Sequence, residues 1–422
     1  MDRENRSMLR TRASKLVIIL VVFVVCVFII YSWSGGQGTL PETSRGGGSV
    51  NQPSSLQAQP LSVTKYLLGD SEDPTKLWYP PYNGSAPQPL PLKQNEAPGV
   101  GKRARTPLLI PFTRNNGMLQ QTVLSYIAAG WPREDIIIID NSGTMDANDR
   151  GLLSKDNPFY LDYKTLRTRY RVSILQTPTL LSFSQLQNYF LRTSMSHNWR
   201  YFFWSHMDVA VLSDEETEPY KSFYNRVMDI LNDLGLSSPD ATHASSSETW
   251  ALKYFTYDWL TLINVSPWRK IGQWDTFIPY YSSDCDAYSR VVMNGFSKDD
   301  VRAGHLFDIP DVIKDPERKF FPDLNNQSEM TQLNSPRYKA LLAELRKLQD
   351  DKPRSSRNKW QGSNTGGKGE PWTYDPDGFE KMWWDTAGFG RELYKKKWGT
   401  EECRLDEHGG RLSDAFHRGI SV

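Results

Sequence analysis

Tyr201-Phe202-Phe203-Trp204-Ser205-His206-Met207-Asp208-Val209-Ala210-Val211-Leu212 is an apolar run interrupted by one polar triplet. A short run of this kind reads as a buried core strand. Strand side chains alternate, so a His and an Asp two residues apart point to one side. At a strand end, His206 and Asp208 are placed to hold a divalent cation over a cleft. Outward from this run, the same kind of signal repeats. Leu108–Phe112 predicts a strand. Met118–Ala129 predicts a helix, ended by Gly130 and Pro132. Ile136–Asp140 predicts a second strand with a turn at Asn141-Ser142-Gly143. Arg171–Gln176 predicts a third strand and Ser184–Ser196 a helix, and the opening run comes fourth. Strands alternating with helices predict an α/β fold, a mixed, mostly parallel sheet flanked by helices.

Later segments are helical or irregular. Pro219–Leu234, Ser283–Asn294 and Ser335–Leu348 predict helices. Residues 349–372 are charged and Gly-rich and read as a loop or tether. The tail from Pro371 carries Trp372, Tyr374, Phe379, Trp383 and Trp384, which predicts that it packs on the rest.

The 422 residues suit one large domain with extensions. A net charge of +1 offers no strong basic field for nucleic acid. The three cysteines, Cys26, Cys285 and Cys403, have no zinc-type spacing, and the sequence leaves a Cys285–Cys403 bridge open. The uncharged stretch Leu16–Trp33 is close to the ~20 residues that span a bilayer. Arg3, Arg6, Arg10, Arg12 and Lys15 precede it, and the next basic residue is Arg45. The positive-inside rule then predicts a cytosolic N-terminus and a lumenal remainder. A cleaved signal peptide is the rival reading. The expected layout is a cytosolic tail over 1–15, a signal anchor over 16–33 and a flexible stem over 34–100. A catalytic domain follows over 101–320 and a helical or loop extension over 321–422. The stem is rich in Gly, Ser, Pro and Gln. Sequons head at Asn83, Asn264 and Asn326 and agree with a lumenal side.

In open α/β sheets, ligands bind beyond the carboxyl ends of the strands. Those ends here are Thr113-Arg114-Asn115, Asp140-Asn141-Ser142 and His206-Met207-Asp208. On these residues, from about Arg105 to Ile309, the chain resembles the inverting GT-A glycosyltransferases of the family 2 type. The resemblance implies a Rossmann-like GT-A fold that binds a nucleotide-sugar donor. It gives Thr113, Arg114 and Asp140 to the donor, with Asn188 in the helix before the metal motif. His206-Met207-Asp208 stands at the place of the Asp-x-Asp metal motif, with His in place of the first carboxylate. Asp208 is a sound ligand for a hard cation, which the resemblance makes Mn2+ or Mg2+. His206 can ligate Mn2+, or it can bond a phosphate or the donor sugar.

Val265-Ser266-Pro267-Trp268-Arg269-Lys270-Ile271-Gly272-Gln273-Trp274-Asp275 is followed by Ser283-Asp284-Cys285-Asp286-Ala287-Tyr288-Ser289-Arg290. In order and spacing this is similar to the acceptor half of family 2 enzymes, with Ser283 where an acidic residue is usual. The resemblance implies that Asp284 is the catalytic base. Asp286 reads as a support or acceptor contact, and Trp274 as an acceptor platform. His305 is implied as a late metal ligand. The expected activity is transfer of a sugar, hexose being expected, from a nucleotide-sugar to a glycan, protein or lipid hydroxyl. It would take place in the Golgi or ER lumen and invert the anomeric configuration. A non-catalytic lumenal carbohydrate-binding or chaperone protein on such a domain is the alternative.

Overall fold

A computed structural model describes residues 78–80, 104–237, 249–321, 333–352, 366–370 and 376–416. The chain divides into two units, Met1–Gln59 and Pro60–Val422, and every described residue belongs to the second. The expected tail, anchor and most of the stem lie outside the described residues, as do Asn83 and Asn326. Among the described residues no helix is long and apolar enough to cross a membrane.

Among the described residues ten strands form two sheets. β1 (Trp78–Tyr79), β2 (Leu108–Phe112), β3 (Ile136–Asp140), β4 (Ser173–Gln176), β5 (Tyr201–Ser205), β7 (Trp250–Tyr254), β8 (Leu260–Asn264) and β9 (Ser297–Asp300) share the larger one. Its order is β1-β4-β3-β2-β5-β8-β7-β9. The central four, β4-β3-β2-β5, run parallel, and β8 pairs antiparallel on β5. The predicted mixed, mostly parallel sheet is present, flanked by helices.

Alternation along the central strands explains why the sheet is buried on both faces. Leu108, Ile110 and Phe112 enter one core with Ile136, Ile138, Tyr201 and Phe203. Leu109 enters the other with Ile137, Ile139, Phe202 and Trp204. Helix α1 (Asn116–Ala128) lies in the first core and helix α2 (Phe183–Ser196) in the second. Helix α3 (Phe223–Asp233) also joins the first, through Phe223, Tyr224, Val227 and Leu231.

The opening run is not one strand. β5 ends at Ser205, and β6 (Val209–Leu212) leaves the large sheet to pair antiparallel with β10 (His305–Asp308). His206-Met207-Asp208 is the bridge between the two sheets, at the carboxyl end of β5.

Two further features concern the flanks. Trp78–Tyr79, inside the expected stem, adds an edge strand on β4, and the Tyr79 ring meets Tyr163 edge-on at 5.0 Å. Past residue 320 the described residues pack on the domain, as the aromatic tail predicts. After the short helices α4 (Trp268–Ile271), α5 (Ser283–Met293) and α6 (Pro316–Phe320) come α7 (Pro336–Asp351) and α8 (Pro376–Trp398). Tyr394 and Trp398 of α8 share a small core with Ile278, Cys285 and Leu405. A Cys285–Cys403 disulfide closes the same region. Asn264 is buried and its amide donates to the Trp250 carbonyl at 3.1 Å, so in this fold that sequon is not presented for glycosylation.

Candidate active site

A cavity of about 370 Å3 opens beyond the carboxyl ends of β2, β3 and β5. Thr113 and Arg114 follow β2, Asn141 follows β3, and His206, Met207 and Asp208 follow β5. Asp284, in the first turn of α5, also lines it. This is the strand-end position at which α/β sheets receive ligands.

A third carboxylate in the cavity, beside Asp208 and Asp284, is Asp258, in the turn between β7 and β8. His206 stacks on the Trp204 indole at 5.2 Å. Its Nε2 stands 3.5 Å from Asp258 and its Nδ1 3.8 Å from Asp208. Burial opposes charge on this imidazole, but Asp258 and Asp208 prevail, and its pKa is raised. His206 is therefore more readily a cation than an ordinary histidine. Asp284 stands at a helix N-terminus, which favours an anion. Burial and then the charge of Asp258 outweigh this and raise its pKa.

Three loops at the cavity hold non-glycine residues in left-handed backbone. Asn115 (φ 70°) follows Arg114, Tyr257 (φ 48°) precedes Asp258, and Ser282 (φ 68°) precedes the turn carrying Asp284. Such residues cost on the order of 1–3 kcal/mol each and gather at functional sites.

Helix α8 supplies part of the wall. The Phe379 ring lies 4.3 Å from the Arg114 guanidinium carbon, a cation–π contact. Trp383 packs on Tyr280 and Tyr281 at 5.2 and 5.4 Å, and all three face the cavity. Tyr257, 63% exposed, stands at the rim.

Of the expected site residues, Thr113, Arg114, His206, Asp208 and Asp284 meet in this cavity. The others serve elsewhere. Asp140 is buried beneath the turn after β3, accepting from Tyr163 Oη at 2.8 Å and the Ser142 amide at 3.0 Å. Burial raises its pKa. Its neighbour Asn141 faces the cavity instead. Asn188 clamps the Trp274 backbone, donating to its carbonyl at 2.9 Å and accepting from its amide at 2.8 Å. The Trp274 ring is 3% exposed and stacks on Trp268 at 5.9 Å, so it is core and not an acceptor platform.

Asp286 is fully buried. It receives Arg290 Nε at 2.9 Å, Lys397 Nζ at 2.8 Å and Trp398 Nε1 at 2.9 Å. Burial opposes its charge, but Arg290 and Lys397 hold its pKa below the ordinary value. It ties α5 to α8 and does not line the strand-end cavity. His305 pairs with Leu212 in the β6–β10 register, three residues from the Asp308–Val209 pair beside Asp208. Its Nε2 lies 3.8 Å from Asp214, and it lines a separate cavity of about 360 Å3 with Arg302 and Arg346. The fold does not bring His305 to Asp208.

What reaches Asp208 is Lys352, immediately after α7. Its ammonium stands 3.2 Å from Asp208 Oδ2 and also pairs with Asp308. Among the described residues no group of three or more His, Cys, Asp or Glu is arranged to hold a metal ion. A divalent cation on Asp208 would share the carboxylate with a buried ammonium, and like charges repel strongly at such separations. With Lys352 in place the residues present do not fit Mn2+ or Mg2+.

Sequence reasoning missed Asp258, Lys352, Asp308 and the role of Phe379. Asp258 was readable only as a polar turn between two apolar strands, and Lys352 only as part of a charged helix end.

No protein-family model and no curated protein sequence matches the chain. Among solved structures, it is similar to the mannosyltransferase PcManGT from Pyrobaculum calidifontis in complex with GDP-Man and Mn2+. The identity is 11% over 61% of this chain and 72% of that one, with a TM-score of 0.31. A cytidylyltransferase from Leptospira borgpetersenii serovar Hardjo-bovis matches at 10% identity over 58% of this chain and 98% of that one, with a TM-score of 0.33. S. aureus TarS matches at 9% over 61% of this chain and 45% of that one, with a TM-score of 0.31. These likenesses are distant, and the functional reading rests on the site itself.

Proposed function

We propose that the chain is a glycosyltransferase that moves a sugar from a nucleotide-sugar donor to an acceptor hydroxyl. The observation that carries this reading is the cavity at the strand ends. Its lining brings together Asp284, whose pKa is raised, with Arg114 and with His206, which takes a proton more readily than an ordinary histidine. Aromatic rings suited to sugar and base faces surround them.

In the proposed reaction the acceptor oxygen forms a bond to the anomeric carbon as the bond to the donor diphosphate breaks. The diphosphate leaves with the bonding pair. Asp284 takes the hydroxyl proton, as a general base with a raised pKa is suited to do. Arg114 and protonated His206 face the charge that builds on the leaving group. One displacement with one base inverts the anomeric configuration. No step is routed through a divalent ion.

A glycan, protein or lipid acceptor enters from the Tyr257 rim in this reading, and a hexose is the proposed cargo. The proposed setting is the Golgi or ER lumen, behind a single N-terminal anchor. The basic residues before Leu16 support it, as does the Cys285–Cys403 disulfide, which suits an oxidising compartment. The test is a panel of sugar nucleotides incubated with the purified chain, with hydrolysis and thermal stabilisation measured. One donor that stabilises the wild type and is turned over by it, but not by Asp284→Asn, supports the reading. Carbohydrate binding without turnover of any donor would replace it with the carbohydrate-binding alternative.

A further inference from the structure

Helix α7 is a fixed arm. Ser335 caps its start by accepting from the Tyr338 amide at 3.1 Å. Tyr338 Oη donates to the Ser213 carbonyl at 3.0 Å, and Leu341, Leu342 and Leu345 are buried in the main core. Lys352 follows the last turn, its amide bonded to the Leu348 carbonyl at 3.1 Å. The helix terminus itself favours a cation there. The side chain is only 7% exposed and ends between Asp208 and Asp308.

Those two carboxylates come from different strands. β6 and β10 pair Val209 with Asp308, which sets Asp308 beside Asp208. Two neighbouring carboxylates, Asp208 buried and Asp308 half-buried, need a compensating cation, because an unpaired charge out of water is costly. A lone lysine of no consequence would extend to water, since its flexible stem permits it.

We propose that Lys352 supplies from within the chain the positive charge that the resembled transferases take from a divalent ion, so that this site needs no metal. The catalytic weight of that statement rests on the glycosyltransferase reading. The occupancy of the cation position by the ammonium does not. Removing the ammonium while keeping both carboxylates converts the position into a metal-binding one.

The experiment titrates Mn2+ into the EDTA-treated full chain at neutral pH and follows free Mn2+ by electron paramagnetic resonance. Wild type is expected to show no saturable binding below about 1 mM, the range of weak carboxylate sites. Lys352→Met is expected to gain one site, at least ~10-fold tighter than that limit, and to melt at a higher temperature with Mn2+. Wild type should show no such shift. Saturable binding by wild type that Asp208→Asn abolishes would overturn the proposal. So would a folded Lys352→Met protein that gains no binding. Should Lys352→Met fail to fold, the comparison of wild type with Asp208→Asn decides by itself. No donor or acceptor enters this measurement, so its outcome is separate from that of the donor screen.

Discussion

Asp284 shares its cavity with Asp258, and burial together with that second carboxylate holds the Asp284 pKa above its ordinary value. A base must be ionised to take a proton, so transfer should fail as pH drops through the raised value. We expect the acid limb of kcat/KM to lie above about pH 4, the ordinary Asp value. Asp258→Asn should move that limb to lower pH. A pH–rate profile of both proteins checks this, and a limb that does not move removes the coupling between the two residues.

Asp284→Asn keeps the shape of the side chain and removes the base. General-base catalysis contributes roughly 10²–10⁴-fold, so kcat should fall by that order. Donor affinity measured by calorimetry should be nearly unchanged. Lost donor affinity would instead place Asp284 among the donor contacts.

The Asp286 cluster predicts a stability effect and no direct effect on chemistry. Asp286→Ala leaves Arg290 and Lys397 without their buried carboxylate. Breaking a buried ion pair on one side costs about 3–5 kcal/mol. Urea unfolding should show a loss of that order. The pKa of Asp286 is lowered in the fold. Its contribution is therefore fully present above the ordinary Asp value of about 3.9 and is lost as pH falls through the lower native one.

The Cys285–Cys403 disulfide bridges a sequence separation of 118. A cross-link closing a long loop restricts the unfolded chain and contributes about 2–5 kcal/mol. Dithiothreitol should lower the melting temperature of the wild type. A Cys403→Ser variant should melt near the reduced wild type whether or not reductant is present.

The central strands were legible because both of their faces are buried, so their apolar runs are nearly continuous. The site was legible where it follows those runs, at Thr113, Arg114, His206 and Asp208. Elsewhere local pattern was silent. Val209–Leu212 is equally apolar in either sheet, so its departure to pair with β10 left no trace. Asp284 and Asp286 stand two residues apart on one helix, a rotation of about 200°. One therefore faces the cavity and the other the α8 interface. His305 sits on the strand that carries Asp308, three positions too far along. Lys352 and Asp258 reach the site by long-range packing, which no periodicity encodes.

Helix α8 lends the cavity Phe379 and Trp383, and its end is held through Lys397 and Cys403. Protein synthesis runs from the N-terminus, so the strands of the large sheet leave the ribosome well before this wall. The aromatic part of the wall is completed only once α8 has emerged and packed back, so the finished pocket depends on a segment made late in translation.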